Sequence, residues 1–324
     1  MCTHCRRKQG ATINTTKSDS ERDCPARAGR RVIVVTGTSS GIGALTVRAL
    51  ARAGHTVYAG MRDTGAYDAA AELEKTAAAE QLDLAAVGMD VTSDVSVDAA
   101  IRRIIDERGR IDVIVHNAGH MVLGPAEAFT PEEFTSIYDV NVLGAHRVNR
   151  AALPHLRKQE SGLLVWVGSS STRGGHTPFI SPYFAAKAAF DSLAVDYADE
   201  LIRFGIDTCI VVPGAFTSGT RHFDDSGHPA DTERAAEYDA KYGTFMQDIR
   251  PRLAALAPPD ADVSEVANKI TEIVGLPAGE RPFRVHIDPN RNGSEVVAAV
   301  ADRIRTDFYR RLGIDDLLPK YSSL

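Results

Sequence analysis

From Arg30 onward, the 324-residue chain alternates short apolar runs with longer mixed stretches. The runs are Arg31–Thr36, Thr56–Gly60, Ala85–Met89, Val113–His116, Leu163–Val167, Thr208–Val212 and Phe283–Ile287. Most are apolar at successive positions. A strand wetted on one face alternates with period two, whereas a continuous apolar run suits a parallel strand covered on both faces. The intervening stretches are long enough for crossover helices. This βαβ rhythm predicts an α/β fold, a doubly wound parallel sheet with helices on both faces.

Three mixed stretches carry sharper signals. Ala186, Ala189, Phe190, Leu193, Tyr197, Leu201 and Phe204 recur at three- and four-residue steps, and Gly205 follows as a C-terminal cap. Thr130, Pro131, Glu132 and Glu133 read as a capped helix start, with the helix running to Lys158. Ser294 to Leu312 reads as one amphipathic helix with Val296, Val297, Val300, Ile304 and Phe308 on one face. The rhythm breaks over residues 215–262, a charged and aromatic stretch too long for a simple connection. It is expected to be a helical lid. Residues 30–324 are expected to form one Rossmann-like domain, and residues 1–29 a disordered, basic extension.

Composition supports a globular protein, with 44% hydrophobic and 25% charged residues. Residues 1–31 hold eight Lys/Arg and three Asp/Glu, leaving 29 basic against 40 acidic residues elsewhere, a net of −11. An acidic body gives no electrostatic reason to expect nucleic acid as a partner. No apolar run is long enough to span a membrane, and the N-terminus lacks the apolar core of a secretory signal. Cys2, Cys5, Cys24 and Cys209 do not suggest a disulfide framework, so a cytoplasmic location is expected. Cys2, His4, Cys5 and Cys24 match no standard zinc spacing, and no metal site is expected.

The candidate chemistry lies at two places. Gly37, Gly41 and Gly43 follow a buried run and open a helix-like stretch. There Gly37 would form a tight turn, Gly41 would admit a pyrophosphate to the backbone, and Gly43 would allow close helix packing. At the end of the second strand, an acid would bind a ribose 2′-hydroxyl and an arginine would favour a 2′-phosphate. Met61 stands in the acid's place and Arg62 follows, so NADP(H) is favoured over NAD(H). Arg62 as a solvated surface charge, or Asp63 in the acid's role, are the alternatives. The second place is Tyr183 with Lys187 four residues on, one face of a helix. A phenol with a pKa of about 10 is a poor acid/base near neutrality, and a nearby ammonium lowers that value. Ser170 lies upstream and could hydrogen-bond a substrate oxygen, although within Ser169-Ser170-Ser171 any serine could simply cap a turn.

With Thr36–Gly43, Asp90-Val91, Asn117-Ala118-Gly119, Asn141, Ser170, Tyr183 with Lys187 and Pro213-Gly214 in this order, the chain resembles the single-domain short-chain dehydrogenases/reductases. The resemblance is strong over residues 31–215. It implies seven strands with the cofactor along the sheet's C-terminal edge. It implies cofactor contacts from Gly37, Ser39, Ser40, Gly41, Ile42, Gly43, Arg62, Asp90, Val91, Asn117, Ala118, Gly119, Tyr183, Lys187, Pro213, Gly214, Phe216 and Thr217. Asp90 would meet adenine, Asn117 and Gly119 the adenosine ribose, Pro213-Gly214 the nicotinamide and Thr217 its carboxamide. Tyr183 is implied as acid/base, Lys187 as its activator and ribose holder, Ser170 as substrate-oxygen donor (thirteen residues before Tyr183), and Asn141 as anchor of a relay water. A mid-helix asparagine that kinks its helix is the plainer reading of Asn141.

The expected function is hydride transfer between nicotinamide and a carbonyl or secondary alcohol, the substrate being apolar or ring-containing. His120, Met121, Val122, His176, Phe179, Phe216, His222 and Phe223 could line its pocket or pack the lid. A non-catalytic NADP-binding regulator on the same fold is the rival reading. By resemblance, the helices Pro131–Lys158 and Tyr183–Phe204 would join subunits into a homodimer or homotetramer.

Overall fold

The computed structural model describes residues 29–62, 64 and 68–319. The basic extension, its three cysteines and Asp63 lie outside the described residues.

Seven strands form one parallel sheet: β1 (Val32–Thr36), β2 (Thr56–Met61), β3 (Leu84–Gly88), β4 (Val113–His116), β5 (Gly162–Val167), β6 (Ile206–Pro213) and β7 (Arg284–Ile287). Their spatial order is β3-β2-β1-β4-β5-β6-β7. The chain therefore reverses its winding direction between β1 and β4, and a crevice opens there beyond the strands' C-terminal ends. Every residue of β1, β2 and β4 is buried, as their unbroken apolar runs require. Alternate side chains feed two cores, one on each face. Val34, Ile114, Leu164, Trp166 and Ile210 belong to one, and Ile33, Val35, Val115, Val165 and Val211 to the other.

Helices α1 (Gly41–Arg52) and α2 (Asp68–Glu80) cover one face of the sheet, and α3 (Asp94–Arg108) the other. The expected helix from Pro131 is not continuous. It divides into α4 (Pro131–Tyr138), a π-helical turn (Asp139–Leu143) and α5 (Gly144–Gln159). Thr130 caps α4 reciprocally, its hydroxyl accepting from Glu133 N at 3.2 Å and its own N–H donating to the Glu133 carboxylate at 2.8 Å. The π-helical turn is centred on Asn141. Helix α6 (Ser181–Leu201) runs on through a 3₁₀ turn to Phe204. Gly205 then stops it at φ 69°, a left-handed conformation that costs glycine nothing.

Residues 215–262 contain α7 (Thr232–Tyr242) and α8 (Phe245–Ala254). Their leading segment is tied to the chain after β4: Leu123 N donates to Gly227 O at 2.8 Å, and Gly227 N to Met121 O at 3.0 Å. Helix α9 (Ser264–Gly275) packs on α1. Helix α10 spans Ser294–Leu312, the range its periodicity predicts. Its apolar stripe, however, faces outward in the described chain, with Val296, Val297, Val300, Ile304 and Phe308 all 44–69% exposed. The other side meets the body through polar groups. Arg305 donates to Asp199 at 2.8 Å, and the Tyr309 hydroxyl reaches the same carboxylate at 2.6 Å.

A buried ionic cluster joins α6, β7 and α10. Asp191 is clasped by Arg284 and accepts from Arg173 at 2.9 Å, while Arg284 Nε reaches Asp302 at 3.3 Å. Removing one partner of such a cluster strands the other charges in a dry interior. Asp191→Ala is expected to lower unfolding stability by about 3–5 kcal/mol. Urea denaturation checks this; a midpoint equal to the parent's would show that the cluster contributes nothing.

Candidate active site

The cofactor end begins with how closely the β1–α1 turn lies against the end of β4. Gly37 sits at φ 68°, and a Cβ there would be 2.6 Å from Ala118 Cα. A Cβ on Gly43 would overlap the Gly37 carbonyl and the Asn117 amide. Asn117 Nδ2 donates to Thr36 O at 2.9 Å and Gly37 O at 2.8 Å. The Thr36 hydroxyl accepts from Asn117 N at 3.1 Å and Ala118 N at 3.0 Å. Asn117 thus uses its side chain to hold the glycine turn.

Gly41, at φ 56°, is different, because the nearest atom to a Cβ there is 3.9 Å away. Space is left in front of α1. The helix's first turn has no side-chain cap and no acid, unlike α3, α4 and α7, which Ser93, Thr130 and Asp231 cap. Uncapped backbone donors beside a glycine that leaves room fit the pyrophosphate of a dinucleotide. Ser39 and Ser40 are exposed at this turn and Ile42 is half-buried.

At the ribose end, the Met61 side chain is buried in the core and Arg62 is exposed just beyond the strand. The charge of Arg62 is felt at His120, which burial first and Arg62 second hold below the usual imidazole range. Asp90 accepts from the Thr92 N–H at 3.0 Å and the Thr92 hydroxyl at 2.8 Å, at the crevice edge after β3. Val91 goes elsewhere: its side chain lies in the core, where a Cβ on Gly144 would press on it. Gly214 is bound to β7 through Ile287 O at 2.8 Å. Phe216 is core packing against Val263 and its neighbours, so its ring does not line the crevice. Thr217 O accepts from Arg250 at 3.0 Å.

The catalytic end lies where α6 passes the ends of β4 and β5. Tyr183 and Lys187 are both buried. Lys187 Nζ donates to Val167 O at 2.9 Å and sits 5.9 Å from the Tyr183 ring centre. Burial pushes the phenol up to about 12 and the ammonium down to about 8. Desolvation is the larger influence on both groups. Gly119 lies at the same junction, where a Cβ would be 2.8 Å from Asn141 Oδ1 and 3.6 Å from Lys187 Nζ. Asn141 is buried, accepts from His120 N at 3.1 Å, and donates to His120 O at 3.0 Å and Ile137 O at 2.9 Å. Its side chain thus fixes the turn after β4. The π-helical turn agrees with an asparagine that distorts its helix.

The Ser169 hydroxyl meets the Ser171 hydroxyl at 2.7 Å and accepts from Ser171 N at 3.2 Å. Ser170 is buried, and its hydroxyl accepts from Asn292 Nδ2 at 2.8 Å. Asn292 carries no sequence signal for this contact.

Apolar groups wall the tyrosine's far side: Met121 and Ile180, with Leu123, Phe184 and Phe223 against them. The His222 ring lies 5.4 Å from that of Tyr183 and is held neutral by burial, then by Lys187, with its pKa lowered to about 4. Phe179, at φ 68°, turns away to meet Tyr242 at 5.1 Å and Phe245 at 5.6 Å. It joins the serine loop to α7 and α8. Among the described residues, no group of His, Cys, Asp and Glu could hold a metal ion, and no helix is long and apolar enough to cross a membrane.

The comparisons agree with this geometry. The family model for short chain dehydrogenases matches residues 31–228. The 3-ketodihydrosphingosine reductase of Bacteroides thetaiotaomicron is 33% identical over 58% of this chain and 65% of its own length. Human 17-beta-hydroxysteroid dehydrogenase type 1 is 36% identical over 57% of this chain and 56% of its own. The chain thus spans somewhat under two thirds of the length of these relatives. A solved short-chain dehydrogenase from Streptomyces avermitilis superposes with a TM-score of 0.67 at 27% identity, covering 87% of this chain and 98% of that one. Turn, crevice, tyrosine and lysine stand together in a matched segment that fills more than half of the chain, which belongs to the short-chain dehydrogenase family.

Proposed function

We propose that this chain moves hydride between NADP(H) and a carbonyl or secondary alcohol on an apolar substrate. The observation that carries the reading is the buried pair of Tyr183 and Lys187, the Lys187 Nζ 5.9 Å from the phenol ring centre, at the end of a crevice that fits a dinucleotide. A regulator that only binds nucleotide has no need for a buried lysine and phenol, both costly to desolvate. The nicotinamide, when bound, supplies or accepts the hydride. The chain's residues handle the proton. The Ser170 hydroxyl, which accepts from Asn292 and keeps its own O–H to give, holds the substrate oxygen beside Tyr183, and the Tyr183 O–H donates its proton to that oxygen as the alcohol forms. A phenol raised to about 12 stays protonated at neutral pH, the state that reduction requires. For alcohol oxidation, the Lys187 charge favours the phenolate. Asn141 holds the backbone that lines the site.

Arg62 supports NADP(H), since it directly follows β2, whose last position holds Met61 in place of an acid. The wall of Met121, Ile180, Leu123, Phe184 and Phe223 supports an apolar chain or ring on the substrate. The named activities of the two relatives, on a long-chain ketone and on a steroid, agree with that class. Subunit contact belongs to the outer faces of α5 and α6, where Leu153, Pro154, Tyr197 and Phe204 line a groove of about 350 Å³.

Tyr183→Phe is expected to keep NADPH binding and lose turnover by roughly 10²–10⁴-fold. Ser170→Ala should lose more turnover than Ser169→Ala, and the reverse order would move the oxygen-binding role to Ser169. Arg62→Ala should lower kcat/KM with NADPH by about tenfold or more, the scale of one charge-assisted contact. Its kcat/KM with NADH should stay unchanged, and equal losses would remove the coenzyme argument. Lys187→Met should abolish turnover yet raise stability at pH 7 by up to about 3 kcal/mol. The native pKa of Lys187 lies below its unfolded value, so its burial costs stability fully below pH 8 and progressively less toward 10.5. Thermal melts should therefore show the variant's advantage shrinking across that window. A constant advantage would mean that the lysine is not desolvated.

A further inference from the structure

We propose that the outward face of α10 is a contact between two copies of this chain, their α10 helices paired antiparallel about a two-fold axis. This contact is separate from the α5–α6 groove and does not depend on the chemistry of the site. Helix α10 also lies beyond the matched family segment, which ends at residue 228.

The amphipathicity of α10 is inverted. The side against the body carries polar groups: Arg305 and Tyr309 hold Asp199 at 2.8 Å and 2.6 Å, and Asp302 accepts from Arg284 Nε at 3.3 Å. The opposite side carries Val296, Val297, Val300, Ile304, Phe308 and Leu312, each 44–69% exposed in the described chain. Apolar side chains scattered singly over a surface are ordinary, whereas a continuous stripe of six marks an interaction face. The helix is also firmly set. Gly293 at φ 86° opens it and Gly313 at φ 71° closes it. Just beyond, Arg203 of the turn after α6 grips Asp316 at 2.7 Å. The stripe is thus held outward by ion pairs behind it and by stops at both ends.

A second α10 fits this face in spacing, charge and area. Val296, Val300, Ile304, Phe308 and Leu312 follow at four-residue steps, a ridge that packs into the groove of a facing helix. Run antiparallel, Val300 meets Ile304 of the partner subunit and Val296 meets Phe308 of the partner subunit, a smaller side chain against a larger one at each level. Charge selects the direction. Glu295 lies in the first turn and Arg310 in the last. At 3.6 residues per turn both fall along the same edge of the stripe. Antiparallel pairing sets each Glu295 beside Arg310 of the partner subunit, twice by symmetry, and opposes the helix dipoles. Parallel pairing would align like charges and like dipole ends. Six side chains about half exposed offer roughly 500 Å² per copy, so a pair reaches the size of about 1,000 Å² at which specific interfaces begin. The polar sequence of residues 1–28 has no apolar run to match the stripe. A lipid surface is disfavoured by Asp307, a carboxylate beside the stripe that Arg310 pairs at 3.4 Å.

Light scattering of the full chain after gel filtration measures its mass. Ile304→Glu should halve the parent's mass at the same concentration and leave the helical content by circular dichroism unchanged. Two carboxylates buried without partners should raise the dissociation constant by about a hundredfold or more. The halving is expected with or without the α5–α6 contact, from four copies to two if both contacts form and from two to one if only α10 pairs. A charge exchange tests the direction. Glu295→Arg and Arg310→Glu should each weaken association severalfold, the scale of exposed ion pairs, and the two together should restore it. A monomeric parent would overturn the proposal, as would an Ile304→Glu variant with the parent's mass or a double variant weaker than either single one. Flotation with phosphatidylcholine vesicles tests the lipid surface: a parent that floats and an Ile304→Glu variant that does not would give the stripe to a membrane and overturn the pairing.

Discussion

The site depends on the close approach of two backbones at the sheet's switch point. The turn after β1 can lie against the end of β4 only because Gly37 and Gly43 lack side chains and because Asn117 bridges the two. That contact aims the start of α1 into the crevice with its N–H groups uncapped. It also sets the position of Ala118 and Gly119, and through Gly119 the approach of Asn141 and Lys187. A methyl group at Gly37 or Gly43 would disturb both ends of the crevice together. The polar chemistry is mounted on a scaffold whose tolerance there is a fraction of an ångström.

Desolvation is the second constraint. Tyr183 and Lys187 are both buried, with the Lys187 Nζ 5.9 Å from the phenol ring centre, and burial moves each toward its neutral form. A site in this state holds a proton on the phenol and waits for charge to enter with its ligands. The apolar wall around Tyr183 and the covering segment pinned at Gly227 keep water from relieving that state. Low dielectric strengthens every later charge–charge contact in the crevice. Stability is given up for this: Lys187 is a liability to folding that only its chemical use explains.

Most of the scaffold was legible in the sequence because its signals are local. Seven buried runs gave seven parallel strands, the Thr130 cap and the Gly205 stop appear where their residue types require, and α10 spans the stretch its period marked. The misses are tertiary. The outward stripe of α10 could not be read from periodicity, since its inner face is held by Arg305 and Tyr309 on Asp199. The Phe216 and Val91 side chains lie in the two cores, which their places beside motif residues do not reveal. The bond from Asn292 to the Ser170 hydroxyl spans more than a hundred residues, and a contact of that range leaves no trace in local pattern.

The central claim is that the crevice between β1 and β4 takes a nicotinamide dinucleotide carrying a 2′-phosphate. Calorimetric titration of the full chain with NADPH, and separately with NADH, tests it most directly. The account predicts one NADPH bound per chain, at least about tenfold tighter than NADH, the scale of one charge-assisted contact to the phosphate. Heat from NADH alone would contradict the role given to Arg62, and no binding of either would contradict the account of the crevice.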